Sequence, residues 1–158
     1  MQMFLWARVE EELLIPKITT RAAASIWDVD FTAFNYAQLM QNRLLVFKPA
    51  IVSRRNSLQL TEATRKQPVV LDARNFSETI RIKLPEGFEV DELPDPLKLD
   101  TSFGSCKTTY LVKDGQLVFT RNLTQLSSKI PVTQYQSVRS FFEKIRAAEQ
   151  APVVLVRK

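Results

Sequence analysis

The chain has 158 residues, 45% of them hydrophobic and 25% charged, with a formal net charge of +5. That is the composition of an ordinary soluble globular domain, and it excludes wholesale disorder, collagen-like repeats and coiled coils. A chain of this length buries roughly 70% of its unfolded surface, enough for one core without staples or metals, and its single cysteine can form no internal disulfide. Histidine is absent, which removes every Cys-His, Ser-His or His-metal mechanism within the chain. The glycines stand singly, so no phosphate-cradling loop can be written. The expectation is therefore one domain over residues 1–158, with no catalytic residue, no cofactor and no metal site.

The cations are dispersed: Arg54 and Arg55, Arg65 and Lys66, then single residues from Arg74 to Lys158. A nucleic-acid binder concentrates such an excess on one face or segment, so the sequence predicts a solvated surface and no nucleic-acid partner. Acidic residues do cluster, at Glu86, Glu89, Asp91, Glu92, Asp95 and Asp100. Calcium loops need tightly alternating ligands, whereas Pro94 and Pro96 stiffen this stretch and its spacing is irregular; a solvated loop is expected. No apolar run approaches the ~20 residues of a membrane span. Met1 to Leu14 carries Glu10, Glu11 and Glu12 where a signal peptide needs an uninterrupted apolar stretch, so no export signal is expected in the chain as it stands.

In chain order, the first 42 residues are the least legible. Phe4, Leu5, Trp6 and Val9 suit a strand, Glu10 to Ile15 suits a helix, and Pro16 interrupts either. From Ile26 the pattern alternates as a strand does, and Tyr36 to Met40 fits a short helix or a continuing strand equally well. Gln41-Asn42-Arg43 reads as a turn into a strand at Leu44–Phe47, stopped by Pro49. Ser53 to Lys66 is polar and basic, a loop. Pro68 to Leu71 reads as a brief buried strand, and Glu78 to Leu84 as a better one, with Ile80, Ile82 and Leu84 on one face and Thr79, Arg81 and Lys83 on the other. Leu84-Pro85-Glu86-Gly87 suits a type I turn, with proline at its first central position. Phe88 and Val90 follow at strand spacing, then a proline-punctuated connection from Asp91 to Pro96.

The strongest local signal is a hairpin over Thr108–Arg121 about Asp114-Gly115, the pair a type I′ turn demands because both central residues need positive φ. It sets Val112 opposite Leu117 and Tyr110 opposite Phe119 on one face, with Leu111 and Val118 on the other. A helix is expected from about Thr133 to Gln150: Thr133 and Gln136 resemble a capping box, and Tyr135, Val138, Phe141, Phe142, Ile145 and Ala148 recur at helical spacing. Pro152 to Val156 reads as a final buried strand. The fold class that follows is mainly β, an antiparallel β-sandwich with one C-terminal amphipathic helix followed by a short strand. The helix is expected to plug the β-structure, resting on Ile80, Ile82, Leu84, Tyr110, Val112, Leu117 and Phe119.

Several words of this sequence, in order, match something known. Leu84-Pro85-Glu86-Gly87-Phe88-Glu89-Val90-Asp91-Glu92-Leu93-Pro94 is followed by Phe103-Gly104, then by Arg121-Asn122-Leu123, Pro131 and Tyr135, Phe141-Phe142, and Ala148 with Pro152-Val153-Val154-Leu155. Upstream, Arg43-Leu44-Leu45-Val46-Phe47-Lys48-Pro49 and Arg65-Lys66-Gln67-Pro68-Val69 belong to the same series. Over residues 43–156 the chain resembles the C-terminal β-domain, a domain of unknown function, of bacterial transglutaminase-like, cysteine-protease-like multidomain proteins. The resemblance implies a Cys-His-Asp core elsewhere in such proteins, where an imidazole generates the thiolate. This chain has no histidine and so no base for that triad. In the layout of the family Met1 would fall mid-protein, so the chain is expected to be a truncated product, a split gene or a cut-out domain.

Cys106, the one candidate nucleophile, is read as a small half-buried side chain. Trp6 and Trp27, with ten phenylalanines, are read as core rather than as a stacking platform. Two functional classes follow. One is a non-catalytic accessory or interaction domain that packs on a transglutaminase-like catalytic domain, in cis or in trans. The other is a freestanding module binding peptide, glycan or an envelope polymer. The resemblance also makes the cell envelope or periplasm the implied compartment; oligomeric state is left open.

Overall fold

The computed structural model describes residues 36–51 and 60–158, together with the backbone of 19–21 and 24–26. Two short strands, β1 (Thr19–Arg21) and β2 (Ala24–Ile26), pair antiparallel. Then come β3 (Gln38–Met40), β4 (Leu44–Phe47), β5 (Val69–Leu71), β6 (Arg74–Lys83), β7 (Phe88–Glu92), β8 (Lys98–Thr101), β9 (Gly104–Lys113), β10 (Gln116–Gln125) and β11 (Ser128–Ile130). One turn of 3-10 helix leads into α1 (Tyr135–Gln150), and β12 (Val153–Arg157) ends the chain. The expected class holds: mainly β, antiparallel, with one C-terminal helix followed by a short strand. The strand pattern of Trp27 to Phe34, and Trp6 with the rest of the N-terminal segment, lie outside the described residues.

The strands form two four-stranded antiparallel sheets. A main sheet has the order β6-β10-β9-β8, and a second sheet the order β3-β4-β12-β7; β5 and β11 make a separate pair. The inner face of the main sheet is shared between two neighbours. Toward the β9–β10 turn, Ile82 and Leu117 are buried against Leu45, Phe47, Val153 and Leu155 of the second sheet, with Ile80 and Tyr110 packed alongside. Toward the other end, Phe103 and Cys106, with Leu99 and Leu123, pack under α1 and the β5–β11 pair. The helix therefore does plug the structure from within the chain. Its seat differs from the expected one, because the second sheet occupies Ile80, Ile82, Leu117 and Tyr110. Val112 also faces inward in register, but it is exposed and packs in neither core cluster.

Local chemistry accounts for the turns. Asp114 and Gly115 have φ of 51° and 71°, the left-handed pair of a type I′ turn, and the register is the expected one, Val112 with Leu117 and Tyr110 with Phe119. Gln41 and Asn42 are also left-handed in the turn between β3 and β4, and of the ambiguous Tyr36–Met40 stretch the last three residues, Gln38–Met40, are strand. After β6 the turn falls one residue later than expected. The Phe88 N–H donates to the Pro85 carbonyl (3.3 Å), placing Gly87 at the third position with φ +76°, as a type II turn requires. The capping box does not form. Pro131 instead opens the 3-10 turn, Gln134 caps α1 without a side-chain bond, and the Gln136 amide donates to the Ala63 carbonyl (2.6 Å). Val70, expected within a buried strand, is outward on β5 and 69% exposed, because β5 has one neighbour and one covered face.

The seat of the helix is aromatic and close. Phe141 meets Phe103 edge to face at 5.3 Å, and Phe142 at 5.2 Å. Gly104 lies under Phe141; a Cβ there would come within 2.5 Å of the Thr124 carbonyl oxygen, so only glycine lets β9 run beside β10 at this point. Phe141→Ala should lower the unfolding free energy by roughly 3–5 kcal/mol, measured by urea titration, because the lost ring leaves a cavity that its neighbours fill incompletely.

Candidate functional site

Among its buried residues, the inner face of the main sheet is apolar except for one row that crosses it. Arg121 on β10 stands between Glu78 on β6 and Thr108 on β9, its cross-strand partners. All three lie on the buried side of their strands, Arg121 at 1% exposure and Thr108 at 2%. This row divides the part of the face that meets the second sheet from the part that meets α1. Glu149, in the last turn of α1, reaches into the same place and is buried too.

Arg121 binds both carboxylates. Its Nη2 is 2.6 Å from Glu78 Oε1, and its Nη1 donates to Glu149 Oε1. Its guanidinium also lies over the Phe76 ring, 5.1 Å from the centroid. Thr108 faces the other way: its Oγ1 accepts from the Leu97 N–H (2.9 Å), while its own N–H donates to the Leu97 carbonyl (2.9 Å). The Thr108 hydroxyl thus secures the strand connection before β8, while Arg121 links β6, β10 and α1.

Two carboxylates on one guanidinium leave a surplus negative charge in a buried place. Burial raises the pKa of Glu78 to about 7; the Arg121 charge opposes the rise and the Glu149 charge adds to it. Burial likewise pushes the Cys106 thiol up to about 11, with Arg121 opposing and Glu149 adding. The Tyr110 hydroxyl is raised, again chiefly by burial, with Thr108 and Arg121 opposing. Cys106 is accordingly more buried than the half-buried side chain expected from the sequence, at 1% exposure, and is a neutral thiol at physiological pH.

Paired carboxylates with one raised pKa are the raw material of acid–base catalysis. Here the guanidinium fills the space between them, and both are closed in by β6, β10 and α1. A shallow cleft of ≈ 240 Å³ beside α1 is lined by Leu60, Thr61, Arg139, Phe142, Glu143 and Arg146 and includes none of these groups. Among the described residues no three metal-ligating side chains come together, the acidic stretch from Glu86 to Asp100 included. No described helix is long and apolar enough to cross a membrane. What the arrangement can do is hold three elements in register.

Sequence reasoning passed over this cluster, although its signal was present. Arg121 shares strand parity with Leu117, Phe119 and Leu123, and Glu78 shares it with Ile80 and Ile82. Glu149 falls on the helical stripe four residues after Ile145. Three charges of complementary sign on three apolar faces mark a buried ion cluster.

Because the folded pKa of Glu78 lies above the ordinary value of 4.5, the folded protein holds a proton that the unfolded chain releases between those values. Its stabilising effect is complete below about pH 4.5 and is lost as pH rises through about 7. Glu78→Gln, which keeps the shape and removes the titration, should flatten the fall in urea-measured stability between pH 5 and pH 8. The wild type should lose on the order of 3 kcal/mol more than the variant across the full transition.

Comparison with known proteins gives a family and a similar fold. Residues 42–155 match the family described as "Domain of Unknown Function with solved-structure structure (DUF3858)". The chain belongs to that family. Its fold is similar to part of the crystal structure of a putative protease from Parabacteroides distasonis ATCC 8503, at a TM-score of 0.62 and 14% sequence identity. The match covers 75% of this chain and 24% of that one, so the chain spans about a quarter of the solved protein's length. Comparison with curated proteins gave no match.

Proposed function

We propose that this chain is a non-catalytic accessory β-sandwich of a transglutaminase-like protein, serving to pack on or present material to a separate catalytic domain. The observation that carries the reading is the recurrence of this fold as about a quarter of a longer protein described as a putative protease. The chemistry within the chain supports the same assignment. Its thiol is buried and held protonated, no imidazole is available to deprotonate it, and its two raised or paired carboxylates are occupied by Arg121. A transglutaminase-type reaction needs a thiolate that an acyl donor can reach, and Cys106 offers neither the charge nor the access. The words from Leu84 to Pro94 and from Arg121 to Leu155 that resemble the C-terminal domain of transglutaminase-like proteins point to that partner class.

The test is direct. Purified chain mixed with a glutamine-donor peptide and a primary amine, or with a protein substrate, should give neither amine incorporation nor hydrolysis. Its thiol should react with an aromatic disulfide reagent only as fast as the protein unfolds. Turnover that disappears in Cys106→Ala would contradict the proposal.

A further inference from the structure

The main sheet has a second face, turned away from both core clusters, and folding brings to it cations that are scattered in the sequence. Arg81, Lys83, Lys98, Lys107 and Lys113 lie there, against Asp100 alone. Nearly the whole positive excess of the chain, +5, is thus displayed on one side of one sheet. The arrangement is not one that stability favours. Lys98 and Lys107 are direct cross-strand partners, and like charges so placed repel. Among the described residues Arg81, Lys83, Lys98 and Lys107 form no ion pair, while Lys113 has Asp114 at 3.9 Å in the turn. Between the cations, Val118 pairs with Arg81 on one side and with Leu111 on the other, and Leu111 is 57% exposed, giving the face a small apolar centre with a charged rim. It has no aromatic side chain, so it offers bases or sugars nothing to stack on.

The complement to this face is on the same molecule. Glu86, Glu89, Asp91, Glu92 and Asp95 run along β7, the outer strand of the second sheet, and the loops at its two ends, all exposed. Lys158 is 3.2 Å from Glu89 and neutralises part of that band. Band and face adjoin in the chain, because β6 ends at Lys83 just before the band and β8 begins at Lys98 just after it. We propose that the basic face of the main sheet is a docking surface for a second copy of this chain, each copy placing its cationic face on the acidic β7 band of the other about a two-fold axis. Two-fold pairing follows from size. A face of ten-residue strands spans about 34 Å by about 15 Å, roughly 500 Å². One such contact falls short of the ~800 Å² per partner of a standard interface, and face plus band, used reciprocally, reach it.

Such a dimer is held mainly by exposed charge, so it must weaken with salt, the Debye length falling from about 14 Å at 50 mM to about 4 Å at 500 mM. Sedimentation of the full chain at about 100 µM should show a dimer at the lower ionic strength and a monomer at the higher. Lys98→Gln/Lys107→Gln, and separately Glu86→Gln/Asp91→Asn/Glu92→Gln, should each weaken self-association at least about ten-fold, with melting temperatures at or above the wild type for the lysine pair. Mixing the two variants should give a 1:1 complex more readily than either forms alone, since each still carries the patch the other lacks. A wild-type monomer at both salt concentrations would overturn the proposal, as would a dimer indifferent to both variants or one that grows into polymers. Should the monomer instead bind duplex DNA or phosphatidylserine vesicles through the same lysines, the face serves a polyanion and the proposal is wrong.

Discussion

The structure depends on one buried guanidinium. Arg121 stands where three pieces of the protein converge: the edge strand β6 through Glu78, its own central strand β10, and the last turn of α1 through Glu149. Glu149 lies just before Ala151 and Pro152, where the chain leaves the helix for β12, the strand at the middle of the second sheet. Fixing that carboxylate therefore fixes where the helix ends and where the second layer begins. Hydrophobic burial supplies most of the driving force on either side of the polar row, but it is non-directional. The ion cluster adds direction: a helix rotated or shifted by one turn would leave Arg121 buried beside a single carboxylate and Glu149 beside none. A buried charge left without its partner is among the costlier faults a core can carry.

Much of this was legible from the residues. The hairpin at Asp114-Gly115 was fixed by local backbone chemistry, and the strands at Leu44–Phe47 and Val153–Val156 by short β-branched or apolar runs, so these emerge in the structure where the pattern puts them. The helix was legible from its stripe, but its partner was not. Ile80 and Leu117 look like any other inward residues, and nothing local tells a strand whether a helix or a second sheet will cover it. The capping box failed for a related reason. Gln136 has the right spacing from Thr133, yet a nearby carbonyl at Ala63, 73 residues away in sequence, takes its amide instead. The ion cluster was overlooked because each member is unremarkable in its own element and becomes informative only when strand parity and helical phase are combined.

The distribution of charge separates two roles. Inside, the charged groups are few and enclosed, two carboxylates about one guanidinium, and the single thiol beside them is held neutral. Outside, cations collect on one sheet face and acids on the opposite sheet's edge strand, each with little to neutralise it. Sealed reactive groups inside and displayed charges outside are the features on which the proposed accessory role rests, beside a fold that recurs within a much longer protein.

Arg121, Glu78 and Glu149 act as one structural unit, and the most direct measurement of that coupling compares two variants by urea unfolding. Arg121→Met alone should lose about 3–5 kcal/mol, because it strands two carboxylates in the core. The triple variant Glu78→Gln/Arg121→Met/Glu149→Gln, which removes the stranded charges as well, should recover a large part of that loss. A triple variant no more stable than Arg121→Met would show that the three residues contribute independently and that the cluster does not organise the fold.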